Sequence, residues 1–209
     1  MKETTIGIVK PDFVPYIHEI ASIIITHGLK IPKIYLLAYT DQNVIDQQYY
    51  YTNEELRKYG NNNLNICDEK GLDPSIYFGQ GYKPLETGKI VIERHKAYMM
   101  SGGIAAIIVQ GDNAKTRLKE LAGKTEPIKA VPGTIRYKLA GTYGDDHPLI
   151  VNSLYKAILT QTTIHNVIHV PDPENADKDL NLWRNKNHKG LITVDPFEKI
   201  YSNLNRSSI

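Results

Sequence analysis

Several things are scarce in this sequence, and each scarcity closes off a class of protein. There is one cysteine, Cys67, so no disulfide can form within the chain. That usage fits a reducing, cytoplasmic setting. No apolar run approaches the roughly 18 residues that a membrane span needs. Residues 1–9 hold no signal-peptide apolar segment of useful length, so no membrane partner is expected. Charge of one sign is not in excess: 25 Lys and Arg stand against 23 Asp and Glu, for a formal net charge of +2. Without a basic surplus or interleaved basic and aromatic stripes, no specific nucleic-acid partner is expected. Seven histidines are present. His18, His27, His95, His147, His165 and His188 lack metal-ligand spacing, so no metal centre built by protein ligands is expected.

What is there is ordinary globular composition: 209 residues, 41% hydrophobic and 23% charged. The length suits one large domain, or one domain with insertions. Residues 4–9 are short, β-branched and apolar and read as a buried strand ending at Lys10-Pro11-Asp12. Ile17, Ile20, Ala21 and Ile24 mark a helix that Gly28 stops. Residues 31–39 read as a strand, with Pro32 near its start suggesting an edge or an entry position. Asp41 can cap a helix to about Tyr51, followed by a short helical stretch near Leu56. Residues 60–87 show no sustained period and read as a long loop or insertion. Residues 88–101 are ambiguous, turning helical toward Tyr98. Residues 104–109 form the clearest buried strand. Ala114, Leu118, Leu121 and Ala122 mark a helix capped by Asp112 or Asn113 and stopped by Gly123. A Pro- and Gly-punctuated loop covers 123–136. Pro148 can open a helix with an apolar face of Ile150, Leu154, Ala157 and Ile158. Residues 167–170 are a short strand, and Asp172-Pro173 starts a last helix. The order of elements implies an α+β sandwich, one sheet covered by helices.

Three separated segments carry chemistry: residues 8–12 (IVKPD), residues 123–136 (GKTEPIKAVPGTIR) and residues 166–169 (NVIH) followed by Asp172. They supply Lys10, Thr125, Arg136, Asn166 and His169 at loop or strand-end positions, where a rigid frame exposes side chains. Lysine and arginine beside an imidazole offset phosphate charge. A histidine nucleophile needs one ring nitrogen free and the other N–H held by an acceptor. Asp177 and Asp179 on the following helix are candidates for that acceptor.

Together with YMMSGGIAAIIVQGDNA (98–114) and PENADKDLNLW (173–183), these segments resemble the nucleoside diphosphate kinase family. The pairing of PGTIR with a downstream NVIH is the specific part, and the resemblance covers roughly two thirds of the chain. It implies a ferredoxin-like βαββαβ fold with a four-stranded antiparallel sheet. It implies transfer of the γ-phosphate of ATP to nucleoside diphosphates through a phosphohistidine on His169, with Mg²⁺ held mainly by the phosphates. Lys10, Arg136 and Thr125 then match phosphate ligands, Lys10 also reaching the ribose, and Asn166 matches the ligand of the ribose 3′-hydroxyl. Asp179 falls where the family usually has a glutamate that orients the imidazole. Lys119 falls where it usually has a phosphate-binding arginine. Self-association, at least into a dimer, is also implied.

The chain departs from the family pattern in places. Phe13 replaces the glycine of KPDG, and Pro171 stands where a serine usually follows the histidine. Tyr137-Lys138 replace Gly-Asp after PGTIR. Segments around 52–90 and 137–165 read as insertions into a single domain over 1–209, and 185–209 as a C-terminal extension. These departures motivate a second reading, a nucleotide-binding or scaffold domain of the same fold that has lost turnover.

Overall fold

The computed structural model describes residues 2–38, 41–143, 147 and 149–184, together with the backbone of 191–194. Its frame is β1 (Lys2–Val9), α1 (Ile17–Thr26), β2 (Lys30–Leu37), α2 (Gln42–Gln48), α3 (Asn53–Glu69), α4 (Pro74–Phe78), α5 (Pro84–Met99), β3 (Ile104–Asp112), α6 (Ala114–Ala122), α7 (Leu154–Leu159), β4 (Ile168–His169), α8 (Ala176–Arg184) and β5 (Leu191–Val194). The strands lie in the order β4-β1-β3-β2-β5, and every pairing is antiparallel. The first four of these positions are the expected ferredoxin-like sheet. The fifth strand is an addition: it pairs with Ile34–Leu37 of β2. The rest of 185–209, and Tyr39 at the end of the expected second strand, lie outside the described residues. Pro32 sits where the β2–β3 register shifts between Lys30 and Lys33, a bulge that needs no ladder donor from proline.

Strand alternation sorts the core into two layers. Ala105, Ile107 and Val109 of β3 face α1 and α6, packing with Ile20, Ile24, Leu118 and Leu121. Ile104, Ala106 and Ile108 face the other way, against Ile45 of α2, Ile92 and Met99 of α5, and Leu180 and Trp183 of α8. Because helices cover both faces, β3 reads as an unbroken apolar run rather than an alternating one. The same alternation sets the site. His169 lies opposite Ile8, so its side chain shares the face of α2, α5 and α8. Lys10 follows Val9, whose side chain faces α1, so Lys10 turns to the opposite face, the one His169 shares with α2, α5 and α8.

The expected loop over 60–87 is instead largely helical. Thr52 and Glu55 form a capping box that starts α3, and Asp73 caps α4 before Pro74. The helical period is hidden because the inward face is Leu56, Gly60, Asn63 and Cys67, of which two are not apolar. Gly60 and Gly88 let α3 and α5 cross backbone to backbone. A Cβ on Gly60 would lie 1.7 Å from the carbonyl oxygen of Pro84, and one on Gly88 would lie 1.9 Å from that of Leu56.

Two further expectations change in detail. The helix expected from Pro148, itself outside the described residues, begins only at Leu154, where the Ser153 hydroxyl accepts from the Lys156 N–H. Residues before it are held in loop pairing, with the carbonyls of Val151 and Asn152 accepting from His165 and Ile128. Its apolar face is covered within the same chain: Ile158 packs with Cys67 and Phe78, Ala157 with Val151 and Ile164, and Ile150 against the core of the α1/α6 face. Asn113 occupies the cap position of α6 with φ of 53° but makes no side-chain cap. Glu3 of β1 accepts the first-turn N–H of Lys115 instead.

No helix among the described residues is long and apolar enough to cross a membrane. Gly60→Ala forces α3 and α5 apart along backbone that cannot yield. The expected cost is at least about 2 kcal/mol, read as a lower urea midpoint with an unchanged slope.

Candidate active site

The loop from β1 and the turn before β4 meet at one point. Ile168 N–H donates to the Asn166 carbonyl (2.7 Å) across Val167, whose φ is 67°. A two-residue hydrogen bond around a positive φ is the rare, strained γ-turn, and a β-branched residue makes it more costly. Such strain persists where surrounding bonds over-determine it, and they do here. Arg136 donates from Nε to the Asn166 carbonyl (2.9 Å), from Nη2 to that of Ile168 (2.7 Å) and from Nη1 to that of Gly123 (2.5 Å). Lys10 N–H donates to the Val167 carbonyl at 2.9 Å. One buried guanidinium thus ties the 123–136 loop to the turn that aims Asn166 and His169.

Asp179 comes to His169 from the first turn of α8. Its Oδ2 lies 2.8 Å from His169 Nε2. A carboxylate accepts only, so Nε2 carries the proton and Nδ1 is the nitrogen left free. Asp177, the other candidate acceptor, is exposed and pairs with Lys115 at 2.8 Å. Behind Asp179 stands Gln48 of α2. The indole N–H of Trp183 donates to Gln48 Oε1 (2.7 Å), which fixes the amide so that its nitrogen donates to Asp179 Oδ2 (3.0 Å). Gln48 Nε2 also sits 3.4 Å from His169 Nε2, a contact between two donors rather than a bond. The imidazole is therefore held by a chain running back into the core.

These groups border a cavity of about 480 Å³. The structure brings all seven expected residues to it: Lys10, Lys119, Thr125, Arg136, Asn166, His169 and Asp179. They are not alike. Thr125 is an exposed rim hydroxyl. Lys119 reaches across the rim to the Val170 carbonyl (3.0 Å) and Asp172 (2.9 Å). Asn166 is buried, and its Oδ1 has no partner among the described residues. Lys10 is 1% exposed and makes no ion pair among the described residues. Its ammonium contacts His95 Nε2 at 3.0 Å and lies over the Tyr98 ring.

The electrostatics follow from burial. Desolvation, then the Arg136 charge, lowers the Lys10 pKa to about 7. Burial brings Arg136 down to about 10, so it stays charged at neutral pH. His169 lies below its ordinary value. Desolvation is the leading cause, the Asp179 bond and charge pull upward, and the Lys10 and Arg136 charges add to the lowering.

Among the cavity residues that the sequence reading did not assign to the site are Gln48, Tyr49 and His95. Gln48 falls four after Val44 and His95 three after Ile92, so each is a polar residue on a helix face that otherwise asks for apolar ones. That was the available signal. Tyr49 is buried, and its hydroxyl has no partner among the described residues. The family departures have local explanations. Phe13 fills the core of the α1/α6 face, and Lys138 beyond the PGTIR motif pairs with Glu19 of α1.

An antiparallel ferredoxin-like sheet that presents an oriented imidazole and two buried cations to one cavity defines a class: an anion-binding site built around a histidine. Comparison with known proteins then gives the family. The family model described as nucleoside diphosphate kinase matches residues 56–188. A protein named nucleoside diphosphate kinase from Pyrobaculum aerophilum is 31% identical over 185 residues, covering 87% of this chain and 94% of that protein. One of the same name from Caldanaerobacter subterraneus subsp. tengcongensis is 29% identical over 131 residues, covering 62% of this chain and 80% of its own length. The crystal structure of an NDP kinase from Pyrobaculum aerophilum superposes with a TM-score of 0.77 at 28% identity, covering 90% of this chain and 98% of that one. The chain belongs to the nucleoside diphosphate kinase family, and it is an enzyme of that class.

The imidazole titration is directly measurable. His169 should titrate below about 6.5, the ordinary histidine value. Asp179→Asn, which removes the group that pulls it upward, should lower it further. NMR of the ring as a function of pH checks both. An unchanged or higher midpoint in Asp179→Asn would contradict the assigned contact.

Proposed function

We propose that the chain transfers the terminal phosphoryl group of ATP to nucleoside diphosphates in two half-reactions at this one cavity. In the first, the lone pair of His169 Nδ1 attacks the γ-phosphorus, the bond to the bridging oxygen breaks, and ADP leaves with that electron pair. In the second, a β-phosphate oxygen of the incoming diphosphate attacks the same phosphorus. The P–N bond breaks, and its electrons return to Nδ1. Family membership supports the overall reaction. The observation that carries the mechanism is a buried Lys10, with no ion pair among the described residues, in the same cavity as an imidazole whose far nitrogen is already held by Asp179.

Each residue has a part. Lys10 and Arg136 offset phosphate charge where water is excluded. Thr125 and Lys119 meet phosphate at the rim, Lys119 by exchanging its bond to Asp172. Asn166 turns its amide oxygen, which has no partner among the described residues, to the ribose 3′-hydroxyl. Asp179 keeps the proton on Nε2 and stabilises positive charge on the ring as phosphate arrives. Among the described residues no group of three or more His, Cys, Asp or Glu could cage a metal. The exposed Asp172 carboxylate at the cavity rim suits an Mg²⁺ held chiefly by substrate phosphates. When bound, that ion neutralises charge on the bridging and terminal oxygens. The partners are ATP and nucleoside diphosphates. A second copy of the chain in a two-fold dimer is the smallest assembly the family implies.

Incubation with γ-labelled ATP tests the reaction. The protein should retain an acid-labile, alkali-stable label on His169. His169→Gln should take none while binding ADP with similar affinity, and Asp179→Asn should label slowly. A domain that binds nucleotide without turnover would take no label, and label on another residue would overturn the mechanism.

Binding should also move a proton. At pH 8 a Lys10 with a pKa of about 7 is mostly neutral in the free protein. A phosphate beside it raises that pKa, so ADP binding should take up roughly one proton at pH 8 and fewer at pH 6. Calorimetry in buffers of different ionisation enthalpy measures this uptake, and Lys10→Met should abolish it.

A further inference from the structure

We propose that His95 is the positioning residue of Lys10, so that the α3–α5 hairpin and the segment after α7 are working parts of the phosphate site. The inference rests on the phosphoryl-transfer reading above and adds a residue to it.

The geometry is a three-membered chain. Lys10 Nζ lies 3.0 Å from His95 Nε2, and His95 Nδ1 lies 2.8 Å from Thr163 Oγ1. An ammonium has only donors, so it requires an unprotonated Nε2. The neutral ring then carries its proton on Nδ1 and donates it to the threonine hydroxyl. A doubly protonated ring would offer Lys10 no acceptor and would put two like charges 3.0 Å apart. The surroundings agree. Burial, the Lys10 charge and then His169 all push the His95 pKa well down, and the Tyr49 ring packs against the imidazole at 5.0 Å.

Lys10 needs this partner because little else holds it. It leaves β1 as the last residue before a 3₁₀ turn, with a flexible four-carbon stem. No carboxylate pairs with it among the described residues, and the Tyr98 ring gives only a diffuse attraction. One directional bond to His95 selects a single position for the ammonium. It leaves two N–H donors for phosphate and adds no negative charge that would compete with phosphate. An aspartate at the same place would fix the lysine equally well and repel the substrate. His95 is held in turn by α5, whose crossing with α3 depends on Gly60 and Gly88, and by Thr163.

Three variants and one spectrum test this. His95→Leu fills the space but cannot accept a bond. It should weaken ADP binding roughly 10-fold, the order expected when a hydrogen bond to a charged group is lost, with a smaller change in the rate of labelling at saturating ATP. His95→Gln, whose amide oxygen can reach the Nε2 position, should return affinity to within about threefold of wild type. Thr163→Val, which removes the Nδ1 acceptor, should fall between them. In ¹⁵N NMR of the wild-type protein with ADP bound, His95 should show a protonated Nδ1 and a bare Nε2. The proposal is overturned if folded His95→Leu binds ADP like wild type, if His95→Gln is no better than His95→Leu, or if the proton sits on Nε2. Should His95→Leu fail to fold, the glutamine variant and the wild-type spectrum still decide. If wild type takes no label while the leucine and glutamine variants still differ in ADP affinity, the phosphoryl-transfer reading falls and the positioning role stands.

Discussion

A positive charge buried without a counter-charge is a standing cost, and the rest of this site is arranged around two of them. Lys10 and Arg136 sit under the floor of one cavity, and neither pairs with a carboxylate among the described residues. Arg136 is stabilised by three backbone carbonyls, and Lys10 by one imidazole nitrogen. Carbonyls and a neutral ring satisfy donors without cancelling charge. The field therefore points into the cavity, where an anion completes it. The strained turn at Val167 belongs to the same scheme, because the bonds that hold it are those Arg136 and Lys10 make.

The opposite choice is made at His169. There a full carboxylate is used, backed by Gln48 and Trp183. It touches the nitrogen that faces the core and leaves the other for the cavity. In the proposed reaction negative charge helps on that side, since the ring would become positive as phosphate arrives. It would hinder on the Lys10 side. Two polar helpers with different charge, one from α8 and one from α5, thus divide the work around adjacent groups. Pro171, which removes a hydroxyl near the histidine, is less disruptive in this light. The donor to Asp179 comes from Gln48, on the core side, and does not depend on the residue two places after His169.

The segments expected as insertions, around 52–90 and 137–165, pack against the rest of the chain. The α3–α5 hairpin closes one side of the cavity with Glu55 and Tyr59, and it carries His95. The 137–165 stretch packs Ile158 and Ile164 inward and supplies Thr163. The two meet at His95, whose Nδ1 contacts Thr163 and whose Nε2 contacts Lys10.

Much of this was legible in the residues. Periodicity gave α1, α6 and the buried β3, because each buries a conventional apolar face or run. The motifs KPD, PGTIR and NVIH, with the acidic residue ten after the histidine, marked the cavity residues, since backbone turns and charges at fixed spacing leave a local signature. The helical turns within 60–87 stayed hidden because glycine and asparagine take core positions at a close backbone crossing, where only a neighbouring helix explains them. The late start of α7 was equally unreadable, since distant loops claim the backbone groups of 151 and 152. Gln48 and His95 were visible only as polar residues on apolar faces. The sequence by itself determined the family, the sheet and the identity of the charged groups, because those rest on local pattern. Tertiary structure decided which nitrogen of His169 is free, that Lys10 has a neutral partner, and that the hairpin reaches the site. Those depend on side chains as many as 135 residues apart arriving within 3 Å of one another, and spacing along the chain holds no record of that.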